Sequence, residues 1–148
     1  MARTLAQEMK YDDASWHSGG DFPSDLPPEA GATHTGMFLT WCILSGHAGE
    51  ELIDICDDEG FESLKSRTTT PGQFFLEWCD GKFTELDVDE AIHPFIESYF
   101  DFEKGSYIGD YHNALATSLP SDYHVPDTWE SYDKIAPVIS KAYEQHKG

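Results

Sequence analysis

The rhythm of apolar residues along this chain changes near Gly31. Before that point Gly19, Gly20, Pro23, Pro27, Pro28 and Gly31 interrupt every candidate run, so residues 1–31 are expected to form an ordered but irregular arm. After it, "GATHTGMFLTWCILSGHAGE" sets Met37, Phe38, Trp41, Cys42 and Leu44 at three- and four-residue intervals. That spacing predicts the most buried helix of the protein, with Thr33 or Thr35 as N-cap, Gly46 as its stop, and Trp41 at the centre of the core between Phe38 and Leu44.

The next segment, "EELIDICDDEGFESLKSR", predicts a short amphipathic helix. Leu52, Ile53, Ile55 and Cys56 are expected inward, and Asp54, Asp57, Asp58, Glu59 and Glu62 outward. "TTTPGQFFLEWCDGK" carries the clearest local signal: Thr70 as N-cap, Pro71 at the first helical position, Gln73 closing a capping box and Gly81 past the end predict a helix over 71–80.

Asp87 and Glu90 offer a second capping pair ahead of an Ile92, Phe95, Ile96 and Tyr99 stripe, with Pro94 confined to the first turns. "SYIGDYHNAL" is a shorter candidate that Gly109 would interrupt. An Asp127–Glu130 box opens a final helix marked by Trp129, Tyr132, Ala136, Ile139 and Tyr143, with a bend expected at Pro137. No βαβ alternation and no repeat is present. The expectation is therefore one all-α domain over residues 1–148: a helical body of five to six helices from residue 32 onward, carrying the arm.

Composition narrows the function classes. Asp and Glu number 28 against 9 Lys and Arg, a formal charge of −19. Such a surface repels nucleic acid and anionic membranes and attracts cationic partners. Aromatic residues make up 14% of the chain, enough to build a core despite the charge. Cys42, Cys56 and Cys79 are odd in number, lie in hydrophobic segments and form no CxxC pair, so they are expected to be reduced core residues. With no apolar run of signal-peptide or membrane-span length, a cytoplasmic location is expected.

Candidate chemistry concentrates in two places. "YDDASWHSGGDFP" holds Asp12, Asp13, His17 and Asp21, oxygen and nitrogen donors that would suit a metal ion or small ligand, with His34, His112 or His124 completing the shell. Their spacing matches no metal motif. The favoured reading is structural: the carboxylates satisfy backbone donors and tie the arm down, Tyr11 and Trp16 plug the core, and His17 pairs with a carboxylate. No cofactor is then expected.

His34 with Asp110 and His112 could form an acid–base group, but there is no nucleophile motif and no glycine-rich phosphate loop, so no enzyme is expected. The second place is the acidic run: seven carboxylates occupy the thirteen residues of "EELIDICDDEGFE", and four the six of "ELDVDE". An excess of this kind suits a basic protein partner.

"YDDASWHSGGDFP", "LPPEAGATHTGMFLTWCI" and "YHVPDTWESYDKIAPVISKAY" together resemble a family of small, uncharacterised, acidic bacterial cytoplasmic proteins, from about Lys10 to Tyr143. Members are similar in size and charge to the immunity proteins encoded beside secreted polymorphic toxins, including those of contact-dependent and type VI secretion systems. The resemblance implies an antitoxin that occludes a toxin's basic active site. Asp54, Asp57, Asp58, Glu59 and Glu62 are the expected partner-binding residues.

Overall fold

A computed structural model describes residues 10–17, 22–101 and 104–147, without the side chains at positions 10, 15, 16 and 57. The chain is mostly helical, as expected. Its elements are β1 (Lys10–Asp13), α1 (Ala14–His17), α2 (Thr33–Leu44), α3 (Glu50–Lys65), α4 (Pro71–Cys79), β2 (Lys82–Thr84), α5 (His93–Tyr99), α6 (Tyr107–Tyr111) and α7 (Trp129–Lys147). Two of the helices, α1 and α6, have only four and five residues. No helix among the described residues is long and apolar enough to cross a membrane.

Helix α2 is the centre of the fold, with every residue from Thr33 to Ile43 buried. A helix wrapped on all sides needs neighbours close by, and Gly36 admits one. A Cβ there would lie 2.6 Å from the Pro71 carbonyl oxygen, so only glycine lets the start of α4 approach so near. Around Phe38 gather the rings of Phe100 at 4.8 Å and Tyr107 at 5.1 Å. Trp41 is buried as predicted, and its indole N–H donates to Ser140 Oγ at 2.9 Å. Leu44 departs from expectation: as the last residue of α2, where the chain turns away at Gly46, it is 40% exposed.

The caps show how far local sequence reaches. The Thr70–Gln73 capping box forms as predicted. Elsewhere the polar groups have other duties. Neither Thr33 nor Thr35 caps α2. Asp87 closes a box on Thr84 in the turn before, and Asp89 caps the turn that leads into α5. Asp127 accepts from Gly72 N–H at 2.8 Å and Thr70 Oγ at 2.5 Å, serving α4 across the fold. At α7 Thr128 caps in place of the expected Asp127, its Oγ accepting from Ser131 N–H at 3.2 Å. Gly109 lies inside α6, which runs on into a π-helical turn over His112–Ala116.

The arm is partly regular. Strand β1 pairs antiparallel with β2, with a register irregularity between Lys10 and Asp12. Asp80 and Gly81, at φ 55° and 71°, turn the chain from α4 into β2. Ala14 N–H then donates to the Gly81 carbonyl at 2.7 Å, anchoring the start of α1. Tyr11 packs on Phe83 with ring centroids 5.0 Å apart. The Trp16 side chain lies outside the described residues.

Candidate functional site

The register irregularity in β1 coincides with a fully buried carboxylate, that of Asp12. The single turn of α1 brings His17 back over it, Nε2 2.6 Å from Oδ1. Thr35, one turn into α2, donates its hydroxyl to Oδ2. His34, its neighbour, places Nε2 3.6 Å from the same oxygen. The two imidazoles meet edge to face with centroids 4.5 Å apart.

Outer contacts hold this group in place. His17 Nδ1 faces the Tyr123 hydroxyl at 2.8 Å, and Tyr107 donates to the His34 carbonyl at 2.6 Å. One donor atom from each of Asp12, His17 and His34 lies within 4.8 Å of the others. A cavity of about 400 Å³, lined by both histidines, Ile108, Ser121, Asp122 and Tyr123, opens on the cluster.

Burial decides the electrostatics. Desolvation pushes the His34 imidazole down to about 4; the Asp12 charge opposes that shift, and His17 adds to it. His34 is therefore a neutral nitrogen donor at neutral pH. Burial, with the charges of Asp12 and Asp122, raises the Tyr123 phenol. The Tyr111 ring lies 6.2 Å from that of His34, and its buried hydroxyl has no hydrogen-bond partner among the described residues. Two nitrogens at the wall of a cavity and a buried carboxylate behind them form a donor set of the kind that binds a divalent ion. Cys42 and Cys56 are chemically quiet by contrast: burial raises the Cys42 thiol far above its ordinary value and that of Cys56 to about 12.

Of the residues singled out in the arm, Asp12 and His17 join the cluster, with His34 arriving from α2. Asp13 is buried but lies outside the three-residue group, and Asp21 falls outside the described residues. His112 and His124 pair elsewhere, with Asp122 at 2.8 Å and Asp25 at 2.9 Å. Asp110 accepts from the Tyr99 hydroxyl at 2.6 Å. Asp110 and His112 thus take Tyr99 and Asp122 as partners, while His34 stands beside Asp12. Sequence reading missed Thr35 and Tyr123; nothing in the local pattern marks a tyrosine 106 positions from His17.

The second region is the outer face of α3. Its inward stripe is narrow: Leu52, Cys56, Gly60 and Leu64, at four-residue spacing, are the buried positions. Ile53 and Ile55, expected inward, are 46% and 43% exposed. They stand among exposed Asp54, Asp58, Glu59 and Glu62; the side chain of Asp57 lies outside the described residues. With Leu44, these are the exposed large hydrophobic residues of the described chain. A cleft of about 640 Å³ opens at the start of α3, and Glu50, Glu51, Glu85, Asp89 and Glu90 line it.

The model of a family described as a domain of unknown function, DUF7832, matches residues 10–125, a span that holds both regions. No curated protein and no solved structure matches the chain.

Proposed function

The chain belongs to the DUF7832 family, and we propose that it acts there as an immunity protein, a binding module that occludes the basic active site of a protein toxin through the outer face of α3. The observation that carries this reading is the placing of the exposed isoleucines. Among the described residues Ile53 and Ile55 are nearly half exposed, alongside four exposed carboxylates and a cleft lined by five more. At two-residue spacing the isoleucines lie on opposite edges of the exposed face with Asp54, Asp58 and Glu62 between them, so each supplies an apolar contact at the border of a charged strip.

In this mechanism Asp54, Asp58, Glu59 and Glu62 take the place of substrate phosphates against the toxin's Arg and Lys side chains. The overall charge of −19 speeds encounter. Ile53 and Ile55 then set the lifetime of the complex, because desolvated apolar contacts act mainly on dissociation. Nucleic acid and anionic membranes are disfavoured by the same charge.

Capture from the producing bacterium at low salt, followed by titration of the recovered protein, tests the proposal. A basic partner should bind with one-to-one stoichiometry, and Ile55→Asp or the pair Asp58→Lys and Glu62→Lys should weaken it at least about tenfold. Expression of the chain should also protect cells that produce the partner. A protein bound equally well by these variants, or the absence of any stoichiometric partner, would count decisively against this function.

A further inference from the structure

We propose that Asp12, His17 and His34 form a binding site for one divalent transition-metal ion of the zinc class, with an open coordination position facing the cavity beside Tyr123. The site is independent of the α3 face and of any partner bound there.

The donor set is the first reason. Two imidazole nitrogens and one carboxylate oxygen, converging within 4.8 Å, leave room for a fourth ligand. Three protein ligands with one position left to water or a small molecule is the arrangement of reactive zinc sites, and the same set also holds iron or manganese. Ligand atoms around such an ion, each bound at about 2.0–2.2 Å, sit roughly 3.0–3.5 Å from one another. Here the His17 and His34 Nε2 atoms lie 2.6 and 3.6 Å from the two Asp12 oxygens, so small side-chain rotations admit the ion.

The surroundings are those of ligands held from behind. Thr35 donates to Asp12, Tyr107 fixes the backbone at His34, and Tyr123 stands on the far nitrogen of His17. The proton that His17 Nε2 shares with Asp12 is exchanged with solvent as the ion binds. When the ion takes His17 Nε2, the imidazole proton resides on Nδ1, and the Tyr123 oxygen, 2.8 Å away, accepts it.

Tying down the arm requires His17 and Thr35. It does not require a second imidazole brought from α2 to the same buried carboxylate, at the edge of a cavity. A cation there offsets the desolvation of Asp12, and the acidic surface raises the local cation concentration.

The full chain, stripped with chelator, is titrated separately with Zn²⁺, Co²⁺ and Mn²⁺. Native mass spectrometry reads stoichiometry, Co²⁺ visible absorption reads coordination, and thermal melting reads linkage. One ion per chain, intense Co²⁺ bands of a four- or five-coordinate site and a raised Tm are expected. Asp12→Asn and His34→Gln should each lower affinity at least about a hundredfold, and Tyr123→Phe roughly tenfold. His124→Gln, altered outside the cluster, should bind as the parent chain does.

Circular dichroism checks that each variant is folded. If Asp12→Asn does not fold, His34→Gln and Tyr123→Phe carry the test. No bound ion at equimolar metal overturns the proposal, and so does affinity that survives His34→Gln, which would assign the ion to other side chains.

Discussion

The centre at Asp12 and the outer face of α3 are built from the same chemical group and use it in opposite ways. Asp12 is fully buried, with one oxygen on His17 and the other on Thr35, next to His34. The carboxylates of α3 stand in solvent around two exposed isoleucines. Burial makes a carboxylate costly unless it is partnered, so at Asp12 the partners are part of the fold. Exposure makes a carboxylate nearly neutral for stability and leaves its field free to act on other molecules. A substitution in the first region should therefore be read in stability, and one in the second in association.

The largest effect expected is that of Asp12→Ala, which leaves His17 and Thr35 without their acceptor. Removal of one partner from a buried charged network costs about 3–5 kcal/mol, measured by urea denaturation. Trp41→Ala, deleting a buried indole from the core, gives an apolar reference of about 3–5 kcal/mol. A loss below about 1 kcal/mol for Asp12→Ala would erase the contrast between the regions.

A pH dependence follows from His34. Its imidazole is held at about 4 in the folded chain, chiefly by burial, against an ordinary value of 6.5. Between these values the unfolded chain binds the proton and the folded one does not, so stability rises with pH across the window and is lost as pH falls from 6.5 towards 4. The full swing is on the order of 3 kcal/mol. Urea midpoints at neutral pH and near the lower end of the window measure it, and His34→Gln should flatten that slope; an unchanged slope would show that His34 titrates freely.

Asp127 lies between the extremes, half-buried and capping α4 from across the fold. Asp127→Ala should cost about 1–2 kcal/mol in the same melts, as for a lost helix cap. The smallest effect belongs to α3. Asp58→Asn and Glu62→Gln should move stability by no more than about 0.5 kcal/mol while reducing the salt dependence of partner binding. A larger stability change would mean that this face is packed within the monomer.

Legibility in the sequence followed distance along the chain. The helix over 71–80 could be read in full because Thr70, Pro71 and Gln73 interact within one turn. His17 could be read as paired with a carboxylate, since candidates lie a few residues away; the choice of Asp12 over Asp13 rests on the register of β1 against β2. That strand pair was not read from the sequence, because the Asp80–Gly81 turn marks only the end of α4 and the two strands lie some seventy positions apart. On α3, apolar spacing did not reveal which isoleucines would find cover, because the four-residue stripe from Leu52 to Leu64 meets its neighbours while Ile53 and Ile55 stay nearly half exposed among the described residues.

The sequence by itself determined the helical class, the buried course of α2, the acidic surface and the presence of donor groups in the arm, all properties of composition or of contacts within about a turn of helix. Only the tertiary structure decided that His34 and Tyr123 would meet Asp12 and His17, and which carboxylates would be buried. Those outcomes depend on how α2, β2 and the segment before α7 close on the arm, and such long-range packing leaves no periodic trace in the chain.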